Sequence, residues 1–124
     1  MNQVSKPKTS YDLEERTAKF GEHIISFCKK IPESVITRSL ISQLVRSGTS
    51  IGANYCEANN GSSKKDFRNK VFICKKEAQE TKHWLRMISA AVPEQKENAK
   101  ILWKECQELT MIFQKIISSL KNEN

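Results

Sequence analysis

The sequence predicts an all-α protein, a single up-down-up-down antiparallel four-helix bundle. Three observations carry that expectation. Four segments place apolar residues at alternating steps of four and three, the repeat of a helix with one buried face. The breaks between them are short and hold proline or glycine. No segment shows the period-two alternation of a strand. Short connections between long helices oblige neighbours to run antiparallel. At 124 residues the chain suits one domain, able to bury roughly two thirds of its unfolded surface.

The first helix is expected over about 12–30, following a basic tail, 1–10, expected to be flexible. Its seam is Leu13, Thr17, Phe20, Ile24, Phe27 and Ile31. Ile31-Pro32 ends it, because the residue before a proline is pushed out of the α region. The second helix is expected over about 34–59, with Leu40, Leu44, Ile51 and Tyr55 along one face. Asn59-Asn60-Gly61 should close it, with Asn or Gly supplying a left-handed residue.

Ser62 or Ser63 caps a third helix over about 63–91, and Asp66 in its first turn suits the helix dipole. The seam of this helix is the clearest of the four: Phe67, Val71, Cys74, Ala78, Thr81, Leu85 and Ile88. Val92-Pro93 terminates it. The fourth helix, about 94–121, carries Leu102, Cys106, Leu109, Phe113, Ile116 and Leu120. Bundle and tail thus divide the chain into 11–121 and 1–10. Apolar residues off these seams, Phe72, Trp84, Met87, Trp103, Met111 and Ile117, widen the apolar faces and together suit a subunit interface.

One stretch of the second helix resists this simple reading. RSGTSIGANYCEA (46–58) holds two glycines and three hydroxyl residues, and each glycine costs roughly 1 kcal/mol relative to alanine inside a helix. Small residues here let the helix approach a neighbour closely, so that recovered packing contacts outweigh the lost propensity. Gly48 and Gly52 are therefore expected at a helix–helix contact, and Arg46, Asn54 and Glu57 in a paired polar network beside it.

Composition narrows the functional classes. No apolar run approaches the ~20 residues of a membrane span, and MNQVSKPKTS lacks the apolar core of a signal peptide; a cytoplasmic protein is expected. The four cysteines stand 28, 18 and 32 positions apart, without a CxxC pair. That spacing suits free thiols rather than a zinc site or a disulfide framework. Glu80 and His83 are the only Glu-x-x-His pair, whereas di-iron bundles repeat that motif on two helices. No Gly-rich phosphate loop occurs, since Gly48 and Gly52 lie inside a helix. No catalytic group, metal or cofactor is expected, and the protein is read as not an enzyme.

Charge is the informative quantity. The net charge is +7, from 21 Lys and Arg against 14 Asp and Glu. Residues 62–92 alone hold eight basic and three acidic groups, whereas residues 32–61 and 93–124 are balanced. Lys64, Lys65, Arg68 and Lys70 occupy the first two turns of the third helix, where cations oppose the dipole. Lys75 and Lys76 extend the run. Phosphates would offset that local cost, and such contacts bind a polyanion without reading its sequence.

QLVRSGTSIGANYCEA (43–58) followed by SSKKDFRNKVFICKKEAQETKHWLRMI (62–88) resembles the four-helix-bundle family of 23S rRNA intervening-sequence proteins. The family pattern falls on Gln43, Arg46, Ser47, Thr49, Ser50, Ile51, Ala53, Asn54 and Glu57. It continues through Asp66, Phe67, Glu77, Glu80, Thr81, Trp84 and Leu85. The resemblance implies a small basic bacterial bundle that assembles as a homopentamer. It also implies kinship with accessory factors that bind a reverse transcriptase and nucleic acid, and it supplies no catalytic residue.

Taken together, these readings lead us to expect a homo-oligomer, a pentamer, that binds RNA or DNA through Lys64, Lys65, Arg68, Lys70, Lys75 and Lys76, with Lys6 and Lys8 as a supplement. Helix packing or the oligomer interface is expected to use Arg46, Gly48, Gly52, Asn54, Glu57, Trp84 and Trp103. The alternative is a protein-interaction scaffold whose partner is an RNA-processing or reverse-transcribing enzyme.

Overall fold

The computed structural model describes the backbone of residues 8–121 and the side chains of residues 13–120. Four helices form the bundle: α1 (Lys8–Lys29), α2 (Val35–Asn59), α3 (Lys64–Ala91) and α4 (Lys96–Lys121). Each packs on its chain neighbour, and α4 returns beside α1. A 3-10 turn, Pro93–Gln95, leads into α4. The helix expected from residue 94 therefore begins at Lys96, because the proline starts a tighter turn whose bond runs from Gln95 N to Val92 O at 2.9 Å. At the other end α1 starts at Lys8, within the stretch expected as tail. Pro7 precedes it in the sequence, and proline is favoured where a helix begins.

The helix ends follow local chemistry. Ser34 caps α2 by accepting from Thr37 N, and the Thr37 hydroxyl donates to Pro32 O at 2.6 Å. Of the two serines expected as the cap of α3, Ser63 accepts from Asp66 N at 3.0 Å, while Ser62 donates to the Asp66 carboxylate at 2.8 Å. The left-handed residue expected after α2 is absent: no described residue has positive φ. Instead Asn60 N bonds to Glu57 O and Gly61 N to Ala58 O. This tightening satisfies the last carbonyls and brings the chain directly into α3.

Burial follows the seams on α1 and α3. Leu13, Thr17, Phe20, Ile24, Phe27 and Ile31 are buried, as are Val71, Cys74, Ala78, Thr81, Leu85 and Ile88. On α4 the seam drifts. Ile117 is buried, whereas Ile116 and Leu120 are only partly so. A straight helix rotates by about 20° per heptad away from a strict seven-residue repeat, and by the fifth turn that moves the core position on by one residue.

The glycines of α2 mark its approach to α1. A Cβ on Gly48 would lie 2.9 Å from Ile24 Cγ1, and one on Gly52 would lie 3.3 Å from the Thr17 backbone. On the α3 side of the same helix, the buried Thr81 hydroxyl sits 2.9 Å from Ser47 Oγ and 2.7 Å from Glu77 O. Small and hydroxyl residues thus line α2 where it meets α1 and α3. The α1–α4 contact is the slightest of the four, and Arg16 bridges it. Its guanidinium forks to Glu105 at 2.7 and 2.9 Å and reaches Glu108 at 2.6 Å.

Candidate nucleic-acid interface

Helix α3 has three differently charged sides, set by the 100° turn per residue. Its seam faces the core. One flank, turned toward α2, carries Lys70, Glu77, Glu80 and Trp84. The other, turned toward α4, carries Lys64, Arg68, Lys75, Lys82 and Arg86. The contacts agree with this division: Lys70 Nζ reaches Glu57 on α2 at 2.7 Å, while Lys75 Nζ reaches Gln114 on α4 at 2.6 Å.

The α2 flank is a closed polar cluster. Arg46 donates to Glu77 at 3.3 Å, to Glu80, and to Gln43 at 3.4 Å. The Trp84 indole N–H donates to Glu80 at 3.1 Å. That indole bond, and then Arg46, hold the Glu80 carboxyl below the usual carboxylate range. Glu80 in turn raises Arg46, and Glu57 raises Lys70. The polar network expected within α2 is therefore built differently. Arg46 and Glu57 each reach across to α3 rather than to one another, because their side chains leave α2 on the flank where α3 packs. Asn54 donates to Ser50 O on its own helix at 2.9 Å.

The α4 flank is cationic. Arg68, Lys75, Lys82 and Arg86 follow the seam residues Phe67, Cys74, Thr81 and Leu85 by one position each, and Phe72 and Gln79 fill the intervening places. No carboxylate interrupts this stripe. Facing it, α4 presents Lys96, Lys100, Trp103, Gln107 and Gln114, again without a carboxylate. Lys82 donates to Gln107 and stands over the Trp103 ring, 5.2 Å from its centroid. Lys75 stands 5.8 Å from the Phe72 centroid. Arg68 Nε is a buried side-chain donor without an acceptor.

The six basic residues expected to meet phosphate thus fall in three places. Lys64, Arg68 and Lys75 lie on the α4 flank. Lys65 and Lys76 are exposed on the outward face beside Phe72, itself 51% exposed. Lys70 belongs to the α2 flank and is paired with Glu57. Sequence reasoning missed Lys82, Arg86, Lys96 and Lys100, because it followed the local density of lysines rather than the stripe one residue beyond the seam. That signal was present in the four- and three-residue spacing. Trp84 and Trp103, taken together as interface residues, lie on opposite sides of α3: Trp84 on its α2 flank, Trp103 in the groove between α3 and α4. Lys6 and the Lys8 side chain lie outside the described residues.

Among the described residues no three of His, Cys, Asp and Glu gather to hold a metal. His83 meets Trp84 edge-on at 4.9 Å, and Glu80 is engaged by Arg46 and Trp84. Cys28, Cys74 and Cys106 are buried free thiols, Cys56 an exposed one. Burial pushes Cys28 up to about 11, and Cys74 and Cys106 up to about 12. No described helix is long and apolar enough to cross a membrane.

Comparison with known proteins adds the following. A family model described as 23S rRNA-intervening sequence protein matches residues 10–115. A solved crystal structure from Bacteroides thetaiotaomicron VPI-5482, a protein of unknown function from the S23 ribosomal protein family, is similar at 29% identity. The match has a TM-score of 0.77 and covers 88% of this chain and 97% of that one. No curated protein matches.

Proposed function

The chain belongs to the 23S rRNA-intervening sequence protein family, and from that premise we propose that it is a non-enzymatic, cytoplasmic bundle that binds nucleic acid through phosphate contacts. The observation that carries this reading is the sorting of charge across α3. Glu77 and Glu80 are turned toward α2 and paired with Arg46, whereas Arg68, Lys75, Lys82 and Arg86 line the opposite flank with no acid among them. A helix surface kept merely soluble would intersperse both signs. A one-sign stripe beside exposed aromatic rings suits a polyanion whose backbone tracks the surface.

Self-association belongs to the same proposal. Val35, Ile36, Ile101 and Met111 are between 60% and 81% exposed, and their burial between copies would remove apolar surface from water. The family resemblance supports five copies. A ring would repeat the cationic flank and multiply phosphate contacts.

Filter binding of an RNA and a DNA oligonucleotide across a salt series tests the phosphate reading. The logarithm of the association constant should fall linearly with the logarithm of salt, each phosphate contact adding about 0.7 to the slope on single strands. Reversing Arg68, Lys75 and Lys82 to Glu together should abolish binding while sedimentation shows the oligomer unchanged. Undetectable or salt-insensitive binding at low ionic strength would refute the proposal. If instead the reversed protein keeps a protein partner that co-purifies with the wild type, the scaffold reading takes its place.

A further inference from the structure

The groove between the end of α3 and the start of α4 differs from the rest of the cationic flank. Leu85, Arg86 and Ser89 form one wall; Lys96, Ala99, Lys100 and Trp103 form the other. It encloses about 320 Å³, within the range of about 300–1,000 Å³ typical of small-ligand sites. Three cations and a tryptophan meet there, and no carboxylate is among the lining residues. Leu85 and Ala99 are buried and give the groove an apolar floor.

Trp103 is 39% exposed, a large fraction for the most costly side chain to leave in water. Lys82, which stands over its ring, is tied to Gln107 one turn further along α4. The groove extends the other way, toward the α4 N-terminus. The indole is thus contacted by the Lys82 ammonium group and at the same time lines the groove, with part of its surface in solvent. A cation over one face of an aromatic ring also fixes its orientation, so a stacking partner meets a ring already held in place.

We propose that this groove is a base-stacking subsite for single-stranded nucleic acid. An unpaired base lies on Trp103, and the adjoining phosphates sit between Arg86, Lys96 and Lys100. The inference rests on the phosphate-binding reading and sharpens it. A duplex keeps its bases stacked on one another and offers this groove phosphate alone, so the subsite selects single strands. Base identity matters little, because every base has a π face and stacking is sequence-tolerant.

The test uses the full-length Trp84→Phe protein, in which Trp103 is the sole indole. It is titrated at low salt with a fluorophore-labelled uridine homopolymer, and separately with a duplex RNA of equal length. Tryptophan emission and label anisotropy are followed together. Trp103 quenching should track the anisotropy isotherm for the single strand and be absent for the duplex. In the otherwise wild-type protein, Trp103→Leu should weaken single-strand binding by about tenfold or more, from the stacking contribution of one base, and leave duplex binding unchanged. Trp103→Phe, which keeps a ring, should lose less. Binding of both ligands without Trp103 quenching, or equal weakening of both by Trp103→Leu, overturns the subsite and leaves the phosphate reading standing. If neither ligand binds at low salt, both the subsite and the phosphate reading are overturned.

Discussion

Replacing Gly48 by alanine sets two effects of opposite sign against each other. Alanine is favoured over glycine within a helix by about 1 kcal/mol. Against that gain, the new Cβ would stand 2.9 Å from Ile24 Cγ1, 3.0 Å from Cγ2 and 3.3 Å from Cβ. Ile24 is fully buried and β-branched, so it cannot swing its contacting atoms away without moving α1. Overpacking of this kind costs about 1–3 kcal/mol. The net expectation for Gly48→Ala is a loss of about 1 kcal/mol, a midpoint lowered by roughly 4 °C for a domain of this size. Gly21→Ala is the internal control, since its Cβ would meet nothing nearer than 3.6 Å. It should gain about 0.4–1 kcal/mol. Ile24→Ala removes the two nearest atoms and leaves only its Cβ at 3.3 Å, so Gly48→Ala in that background should become stabilising, a coupling of about 2 kcal/mol. Urea denaturation at one fixed protein concentration measures all four variants. If Gly48→Ala stabilises as much as Gly21→Ala, the close approach of α1 and α2 does not explain why glycine stands there.

Further outcomes follow from the same contacts. Arg16→Lys should destabilise the α1–α4 edge by up to about 1 kcal/mol, because lysine cannot reproduce the two-pronged contact with Glu105; hydrogen exchange should show α1 opening more readily, and unchanged protection would refute this. The Glu80 carboxyl, depressed first by the Trp84 N–H and then by Arg46, contributes stability present above its unfolded value and lost as pH falls through its lowered folded value. Trp84→Phe should therefore flatten the acid limb of a stability–pH curve below about pH 4.5, by less than about 1 kcal/mol at this part-exposed site. A thiol reagent at pH 8 should modify only Cys56 in the folded protein, the other three thiols being buried and pushed up to about 11 or 12. Fast reaction of a second thiol would contradict that burial.

The residues by which the chain resembles its family turn out to describe an adhesive seam between α2 and α3. Arg46, Glu77, Glu80 and Trp84 form one linked cluster, and Ser47 meets Thr81 in the core beneath it. Their spacing could be read from the sequence, but their partnership could not. Two residues 31 or 34 positions apart become neighbours only once two helices have chosen a register. The cationic flank was half legible for a related reason. The run from Lys64 to Lys76 is a local feature of composition, whereas Lys96, Lys100 and Trp103 join it only through the antiparallel return of α4.

Helix number, order and core faces were determined by the sequence alone, because the 3.6-residue turn converts apolar spacing directly into a buried stripe and proline ends a helix through its own covalent geometry. Which flank of each helix meets which neighbour is decided by packing between segments distant in the chain. That choice, made by Gly48 against Ile24 and by Arg46 against Glu77 and Glu80, turned those two acids of α3 toward α2 and left Arg68, Lys75, Lys82 and Arg86 beside α4. The charge was written in the chain; the surface on which it acts exists only in the folded bundle.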